Sequence, residues 1–179
     1  SSDVCSSDLV AVDNDSDTII VYDVHKQKDS SALYHCEAIK RYGDWIPVSW
    51  PHDGIHREKG SGKQLWQYYQ EHGVNMLPKS AHYKPDFGLK PKLGPQPQEP
   101  IILDIYERIQ SGKFKVFSNC SDFFEEYRSY HREDGKIVSR DDDVMKAVFY
   151  AVMMKRYASP RVIGTRTGGG MSMGISAAV

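Results

Sequence analysis

The 179-residue chain has few cysteines, no long apolar run and no internal repeat. None of its three cysteines, Cys5, Cys36 and Cys120, lies at a metal-ligand spacing. The small number of thiols does not predict a disulfide framework, so a reducing compartment is expected. No segment approaches the roughly 18 apolar residues that span a bilayer. The first residues also do not have the pattern of a signal peptide.

The chain also has almost no net charge, with 23 Lys and Arg against 24 Asp and Glu. Binding to nucleic acid through overall charge is therefore excluded, and any DNA contact must come from a local basic patch. The length and an apolar content of 40% predict one globular domain with a substantial core.

The first nine residues, Ser-Ser-Asp-Val-Cys-Ser-Ser-Asp-Leu, match the translation of a common short-read sequencing adapter. The nucleotides AGT TCA GAC GTG TGC TCT TCC GAT CT encode them in order. The alternative is an ordinary polar terminus. On the adapter hypothesis, residues 1–9 are excluded from the fold, and the native protein begins at Val10, already inside a strand.

Hydrophobic periodicity and turn residues predict alternating strands and helices, with a β-hairpin at the start and a smaller one at 131–138. The predicted strands are 10–12, 18–24, 45–50, 74–78 and 113–117, and the predicted helices are 31–42, 60–72, 99–110, one from Ser121, and 141–157. We expect a loop at 79–97 and a disordered tail at 159–179. This order predicts an α/β fold whose mixed sheet opens with a hairpin and continues through β-α-β units.

Asp53 is the first candidate metal ligand. It follows the apolar run Ile46-Pro-Val-Ser-Trp50, near the carboxyl end of a predicted strand, where ligands bind in open α/β sheets. Gly54 would let the backbone turn sharply there. Carboxylates suit Mg²⁺ and Mn²⁺, which prefer oxygen ligands. The alternative is a surface turn, for which His-Asp-Gly is common chemistry.

Three consecutive carboxylates, Asp141-Asp142-Asp143, open the last predicted helix. Adjacent carboxylates repel one another unless a cation lies between them, so the run is a candidate second half of a metal site. With Asp53 it is the kind of arrangement by which RNase H-like nucleases hold two divalent ions about 3.5–4 Å apart. The alternative is that these residues only cap the helix and complement its dipole.

A glycine-rich segment, Gly60-Ser-Gly-Lys63, superficially resembles a phosphate-binding loop. The spacing is wrong and Gln64 stands where a hydroxyl is required, so nucleotide hydrolysis is rejected. A loop in which Lys59 or Lys63 meets a DNA phosphate remains open. A second basic segment, for which a solvated face is the simpler interpretation, contains Lys113, Lys115, Arg128, Arg132, Lys136 and Arg140.

Six sequence blocks occur in a characteristic order: Gly43-Asp-Trp-Ile-Pro-Val-Ser-Trp-Pro-His-Asp-Gly54, Lys59-Gly-Ser-Gly-Lys-Gln-Leu65, Val74-Asn-Met-Leu-Pro78, Gly112-Lys-Phe-Lys-Val-Phe117, Tyr130-His-Arg-Glu-Asp-Gly-Lys-Ile-Val138 and Arg140-Asp-Asp-Asp-Val-Met-Lys-Ala-Val-Phe-Tyr-Ala-Val-Met-Met-Lys155. With these blocks, the chain from about Thr18 to Tyr157 resembles the C-terminal nuclease domain of the large terminase subunit of tailed bacteriophages, in its P22-like branch.

The resemblance implies an RNase H-like fold over residues 10–158, with a mixed sheet flanked by helices. It implies a metal-dependent endonuclease that cuts concatemeric double-stranded DNA during headful packaging. Two Mg²⁺ or Mn²⁺ ions would be held by Asp53 and Asp143, with Asp142 a close second. Independently of the resemblance, the candidate DNA contacts are Lys59, Lys63, Arg132 and Lys136. The implied partners are double-stranded phage DNA, the portal and the small terminase subunit, in the host cytoplasm and without a membrane.

The resemblance further implies a third carboxylate, on a first strand with a motif similar to Gly-(Ile/Val)-Asp-(Phe/Trp)-Gly. Neither that motif nor the packaging ATPase of the family is found in this sequence. We therefore expect a site that lacks one ligand, a nearly inactive nuclease, and an unpaired sheet edge along residues 10–24.

Two alternatives stay open. One is a DNA-binding or assembly module without catalysis, in which the acidic residues only cap and solvate. The other is a different RNase H-like nuclease of the resolvase or transposase type. The distance between the carboxylates of Asp53 and Asp143 distinguishes the first alternative from a two-metal nuclease. In a nuclease these groups should lie about 4–8 Å apart to hold two ions.

Overall fold

The computed structural model describes residues 4–56, 62–82, 98–138, 140–160 and 173–178, with only the backbone described for 4–5, 160 and 173–178. The strands are β1 (Val4–Asp13), β2 (Thr18–Lys28), β3 (Val48–Ser49), β4 (Phe114–Val116), β5 (Arg132–Glu133), β6 (Lys136–Ile137), β7 (Ser159–Pro160) and β8 (Met173–Ala178). The α-helices are α1 (Ala32–Lys40), α2 (Leu65–Glu71), α3 (Gln98–Gln110), α4 (Ser121–Ser129) and α5 (Asp143–Met153). Across these ranges, no helix combines the length and the apolar character that a membrane span requires.

Six strands form one mixed sheet in the order β3-β8-β1-β2-β4, and β7 pairs with β8. β1 and β2 are antiparallel, β2 and β4 are parallel, and β8 is antiparallel to β1 and parallel to β3. A separate hairpin joins β5 to β6 through Asp134 and Gly135, whose φ angles of 48° and 76° are both left-handed. The predicted mixed sheet and both predicted hairpins are confirmed.

Two hydrophobic cores lie within the domain. Successive side chains of a strand face opposite sides of the sheet, and the neighbours Leu9 and Val10 of β1 accordingly lie in different cores. The larger core contains the apolar stripe of α5, which Val144, Val148 and Val152 supply at helical spacing. The smaller core includes Ile39 from α1 and Tyr69 from α2. Helices therefore flank the sheet, as the predicted fold class requires.

The predicted helices form close to their predicted positions. Ser31 caps α1 by accepting a hydrogen bond from the backbone N–H of Tyr34 at 3.2 Å. The last predicted helix, 141–157, is divided into α5 and a 3-10 helix at Lys155–Tyr157. The predicted strand at 74–78 makes a single parallel bridge, between Met76 and Val48. Most of the predicted loop at 79–97 lies outside the described residues.

The structure differs from the prediction at both ends of the chain. The adapter hypothesis excludes residues 4–9 from the fold, yet in the structure they are part of β1. Leu9 is only 2% exposed. Residues 173–178, predicted to be disordered, form β8 and cover β1 on the side away from β2. The prediction of an unpaired sheet edge along residues 10–24 is therefore wrong. A ladder needs only backbone N–H and C=O groups, so a segment without a hydrophobic pattern can complete it.

Candidate metal site at one edge of the sheet

The strand directions bring several chain segments to one edge of the sheet. β3 and β8 are parallel, so their carboxyl ends lie together. β1 runs antiparallel to β8, and β2 antiparallel to β1, so the start of β1 and the end of β2 reach the same edge. Asp53 follows β3 there, and the amino terminus of α5 is joined to the end of β2 through the side chain of Glu126.

Asp53 lies in a 3-10 helix, His52–Ile55, and is exposed. The indole of Trp50 holds this turn in place. Its Nε1 donates a hydrogen bond to the carbonyl oxygen of Leu77 at 2.7 Å, and its ring stacks on Trp66 with centroids 5.4 Å apart. The strand end and its neighbours thus position the Asp53 carboxylate at the predicted place.

Gly54 is required for a different reason from the one predicted. Its φ angle is not left-handed, so it does not provide the sharp turn that we expected. Instead, a Cβ atom at this position would lie 2.8 Å from Cε3 of Trp50. The close approach of the indole ring, rather than backbone freedom, therefore excludes a side chain beside Asp53.

We expect Gly54→Ala to destabilise the domain by about 1–3 kcal/mol, because the overlap must displace the indole or the turn that carries Asp53. Urea unfolding measures this change. Trp50→Phe removes the benzo ring that would overlap, so the double variant should lose less stability than the sum of the two single variants. Strict additivity of the two losses would contradict the proposed overlap.

Asp142 holds the N-cap position of α5, but its side chain makes no capping hydrogen bond. Oδ1 of Asp142 accepts from Nζ of Lys146 at 2.8 Å. Oδ2 is buried and has no hydrogen-bond partner among the described residues, and the whole residue is 4% exposed. Because unpartnered buried carboxylate oxygens are costly, the interpretation of Asp142 as a simple helix cap is not supported.

Asp143 has different neighbours. It is half-buried, and burial raises the pKa of its carboxyl group; Lys146 and Lys26 oppose this shift, while Asp142 adds to it. Asp143 also contributes to raising the pKa values of Lys26 and Glu126. The charge of Asp143 therefore acts on Lys26 of β2 and Glu126 of α4. Asp141 is exposed, with a left-handed φ of 50°.

One phenol connects Asp53 with Asp142. Burial raises the pKa of Tyr150 to about 12, and the carboxylates of Asp53 and Asp142 contribute to that shift. Both carboxylates are thus within electrostatic reach of the same hydroxyl group. A second phenol, Tyr130, has a pKa raised to about 12 by burial and then by Asp142. Of the two late-helix candidates, Asp142 is the one whose charge acts with that of Asp53 on Tyr150.

Asp53 and Asp142 are the candidate carboxylates of this site. Within the described ranges, no three His, Cys, Asp or Glu side chains are grouped so that they could hold one metal ion. The strand between β1 and β3 is β8, Met-Gly-Ile-Ser-Ala-Ala, which contains no carboxylate. Mg²⁺ is often bound by one or two carboxylates with water and substrate phosphate completing its shell. Asp53 and the unpartnered oxygen of Asp142 fit that donor set.

Sequence reasoning did not identify Glu126 or Asp8. Glu126, 4% exposed on α4, accepts from Nζ of Lys26 at 2.7 Å and from the backbone N–H of Met145 at 3.0 Å. Asp8, fully buried in β1, accepts from Oγ of Ser6 at 3.0 Å, and burial raises its pKa well above the ordinary value. The contacts of Glu126 join residues far apart in the chain, so no local pattern predicts them. The pairing of Asp142 with Lys146, by contrast, follows the i, i+4 spacing.

The predicted DNA contacts have acidic neighbours. Lys63 pairs with Glu71 at 2.5 Å, and Arg132 forms a two-pronged pair with Glu99 at 2.8 and 2.5 Å. Lys136 is exposed on β6, where it lies opposite Glu133 of β5. Lys59 lies outside the described residues. Exposed ion pairs contribute about 0–1 kcal/mol, so these cations can exchange their partners for phosphate at little cost.

A mixed sheet flanked by helices, with carboxylates at one sheet edge, defines an RNase H-like domain. Residues 2–155 match the family model of the Terminase RNaseH-like domain, and the chain belongs to this family. The match begins within the nine residues that the adapter hypothesis excludes.

The relatives agree with this membership. The chain is 42% identical over 147 residues to the large terminase subunit of Salmonella phage P22, covering 82% of this chain and 28% of that protein. It is 41% identical over 144 residues to the large terminase subunit of Enterobacteria phage LP7, covering 80% of this chain and 29% of that protein. The solved structure of the P22 large terminase nuclease domain is similar with a TM-score of 0.69 and 36% identity, over 86% of this chain and 81% of that one.

Proposed function

We propose that this chain is the metal-dependent endonuclease domain of a viral DNA-packaging terminase, which cuts concatemeric double-stranded DNA during headful packaging. The observation that carries the proposal is the carboxylate of Asp142. One of its oxygens is buried without a partner, and the residue acts on the same phenol as Asp53. Membership of the terminase family and similarity to a terminase nuclease domain support the substrate class.

Asp53 and Asp142 would hold the divalent ions, Mg²⁺ or Mn²⁺, with Asp143 adding negative charge nearby. The chemistry that two such ions supply when bound is activation of water and stabilisation of the leaving oxygen of a phosphodiester. Lys146 orients Asp142 by pairing with Oδ1 and leaves Oδ2 for a ligand. The Tyr150 phenol, with its pKa near 12, stays protonated at neutral pH and can donate a hydrogen bond to a phosphate oxygen.

The DNA would approach this edge from solvent, since Asp53 is exposed. Lys59, Lys63, Arg132 and Lys136 are the proposed phosphate contacts. Phosphate contacts set the position of the protein on a duplex without reading its sequence, which suits cutting at a length rather than at a site. By family membership we also propose the portal and the small terminase subunit as partners, and the host cytoplasm as the location.

A non-catalytic DNA-binding module is the second candidate. It is favoured by the pairing of Asp142 with Lys146 and by the lack, among the described side chains, of a three-ligand group. With two carboxylates facing the site, the chain should hold its ions weakly, so slow cleavage is expected even if the endonuclease proposal is correct. The resolvase or transposase alternative is disfavoured by the family match.

Nicking of supercoiled plasmid by the full chain tests the proposal, together with Mn²⁺ binding measured by electron paramagnetic resonance. We expect slow nicking with Mn²⁺ that EDTA stops, and weak but saturable Mn²⁺ binding. Ca²⁺ provides a control for nonspecific charge neutralisation and should support DNA binding without cleavage. DNA binding without either Mn²⁺ binding or nicking would instead identify the non-catalytic module, and nicking that persists in EDTA would contradict metal dependence.

A further inference from the structure

Glu126 makes a contact that a helix-capping residue would ordinarily make. Its carboxylate is buried on α4, and Oε2 accepts a hydrogen bond from the backbone N–H of Met145 at 3.0 Å. Met145 is the third residue of α5, after Asp143 and Val144. The second or third backbone N–H of a helix is the usual donor to the side chain of the N-cap residue.

The N-cap residue of α5 is Asp142, which belongs to a residue type strongly preferred at that position. Its side chain nevertheless makes no capping bond, and Oδ2 remains buried without a partner within the described part of the chain. One of the two donors that an N-cap side chain ordinarily uses, the N–H of the third helix residue, is already bound by Glu126. The two carboxylates are therefore alternative acceptors for one backbone N–H.

We propose that Glu126 is a positioning residue of the metal site. By binding the N–H of Met145, it takes a capping donor that Asp142 would otherwise use and keeps one oxygen of Asp142 available to a divalent cation. This inference rests on the proposed function, in which Asp142 is a metal ligand.

Lys26 holds Glu126 in the required orientation. Its Nζ lies 2.7 Å from Oε1 of Glu126, and the Glu126 side chain is 3% exposed. The pair links the end of β2, the middle of α4 and the first turn of α5. With Oε1 bound to the sheet, Oε2 points to the helix that carries Asp142, so the metal ligand is positioned relative to the sheet edge where Asp53 lies.

A merely structural role for Glu126 makes a different prediction. If Glu126 only stabilises the fold, removing its acceptor should lower stability and should affect metal binding only through unfolding. If it competes with Asp142, that residue turns to the N–H of Met145 when the acceptor is removed. The helix then remains capped and the fold remains stable, but the carboxylate is withdrawn from the cation.

The test compares two double variants of the full chain, both with Lys26→Met so that no ammonium group is left unpaired. Glu126→Gln retains an oxygen acceptor for Met145, whereas Glu126→Met has nearly the same length but no acceptor. We expect Mn²⁺ to bind Glu126→Met/Lys26→Met at least about tenfold more weakly than Glu126→Gln/Lys26→Met, as found when groups that orient metal ligands are removed. The thermal midpoints of the two variants should agree within about 5 °C.

Equal Mn²⁺ affinities in the two double variants, with the unsubstituted chain binding Mn²⁺, would overturn the role of Glu126 while leaving the metal site intact. A much lower thermal midpoint for Glu126→Met/Lys26→Met alone would also overturn it, because the residue would then be a structural cap. Failure of the unsubstituted chain to bind Mn²⁺ would instead overturn the proposed metal site, and the positioning role with it.

Discussion

Asp142→Asn is expected to reduce Mn²⁺-dependent nicking by at least about a hundredfold, because metal catalysis contributes several kcal/mol and each 1.4 kcal/mol corresponds to roughly tenfold in rate. The substitution removes the charge of a buried carboxylate whose Oδ2 has no partner among the described residues. Asparagine conserves volume and is also a good N-cap residue, so the fold should persist. Plasmid nicking and Mn²⁺ binding, compared at equal circular dichroism, measure the effect.

Asp143→Asn is the matched control, since it removes the same charge from the adjacent residue. The family resemblance implies Asp143 as the ligand, whereas the shared influence of Asp53 and Asp142 on Tyr150 favours Asp142. We therefore expect a smaller loss for Asp143→Asn, and a loss for Asp53→Asn as large as that for Asp142→Asn. A larger loss at Asp143 than at Asp142 would restore the original assignment. Full Mn²⁺-dependent cleavage by both Asp53→Asn and Asp142→Asn would rule out the carboxylate pair.

Removal of residues 173–179 is expected to abolish cooperative unfolding of the domain and to cause aggregation. β8 lies between β1 and β3, so its loss leaves backbone groups of both strands without partners. Each buried group left in this way costs about 1–3 kcal/mol, against a total stability of about 5–15 kcal/mol for a domain. Differential scanning calorimetry and light scattering would record the change.

Deletion of Val179 alone is the control for that truncation, since this residue lies beyond β8. It should leave the thermal transition in place. If the chain shortened to residue 172 unfolds at the same temperature as the intact chain, β8 contributes nothing to the sheet, and its central position would have to be rejected.

The proposed competition between Glu126 and Asp142 for one backbone N–H bears on how a helix N-terminus can provide a metal ligand. A carboxylate at a helix N-terminus has a ready partner in its own helix, and that partner reduces its value as a metal ligand. When a second carboxylate binds the backbone N–H, the first carboxylate no longer binds it, but one more charge is then buried. Lys26 offsets that charge through the bridge to Oε1.

Local patterns in the sequence determined most of the secondary structure and the family. Ser31 and the following apolar spacing specify α1, Asp134-Gly135 specifies the β5–β6 turn, and the apolar spacing after Asp143 specifies α5. The strand-end position of Asp53 also followed from the sequence. These features depend on neighbours a few residues apart, whose backbone preferences and side-chain periodicity act before any long-range contact forms.

Only the tertiary structure decided which distant residues influence each carboxylate. The choice of Asp142 over Asp143 depends on Tyr150 and on Glu126, which lies 19 residues away from its partner Met145. Glu126 and Asp122, from another part of the chain, add to the raised pKa of Asp8, and the place of β8 depends on backbone groups of β1 and β3. Ion pairs and hydrogen bonds between residues this far apart leave no periodic pattern in the sequence. They are set by the packing of the sheet and the helices rather than by local conformation.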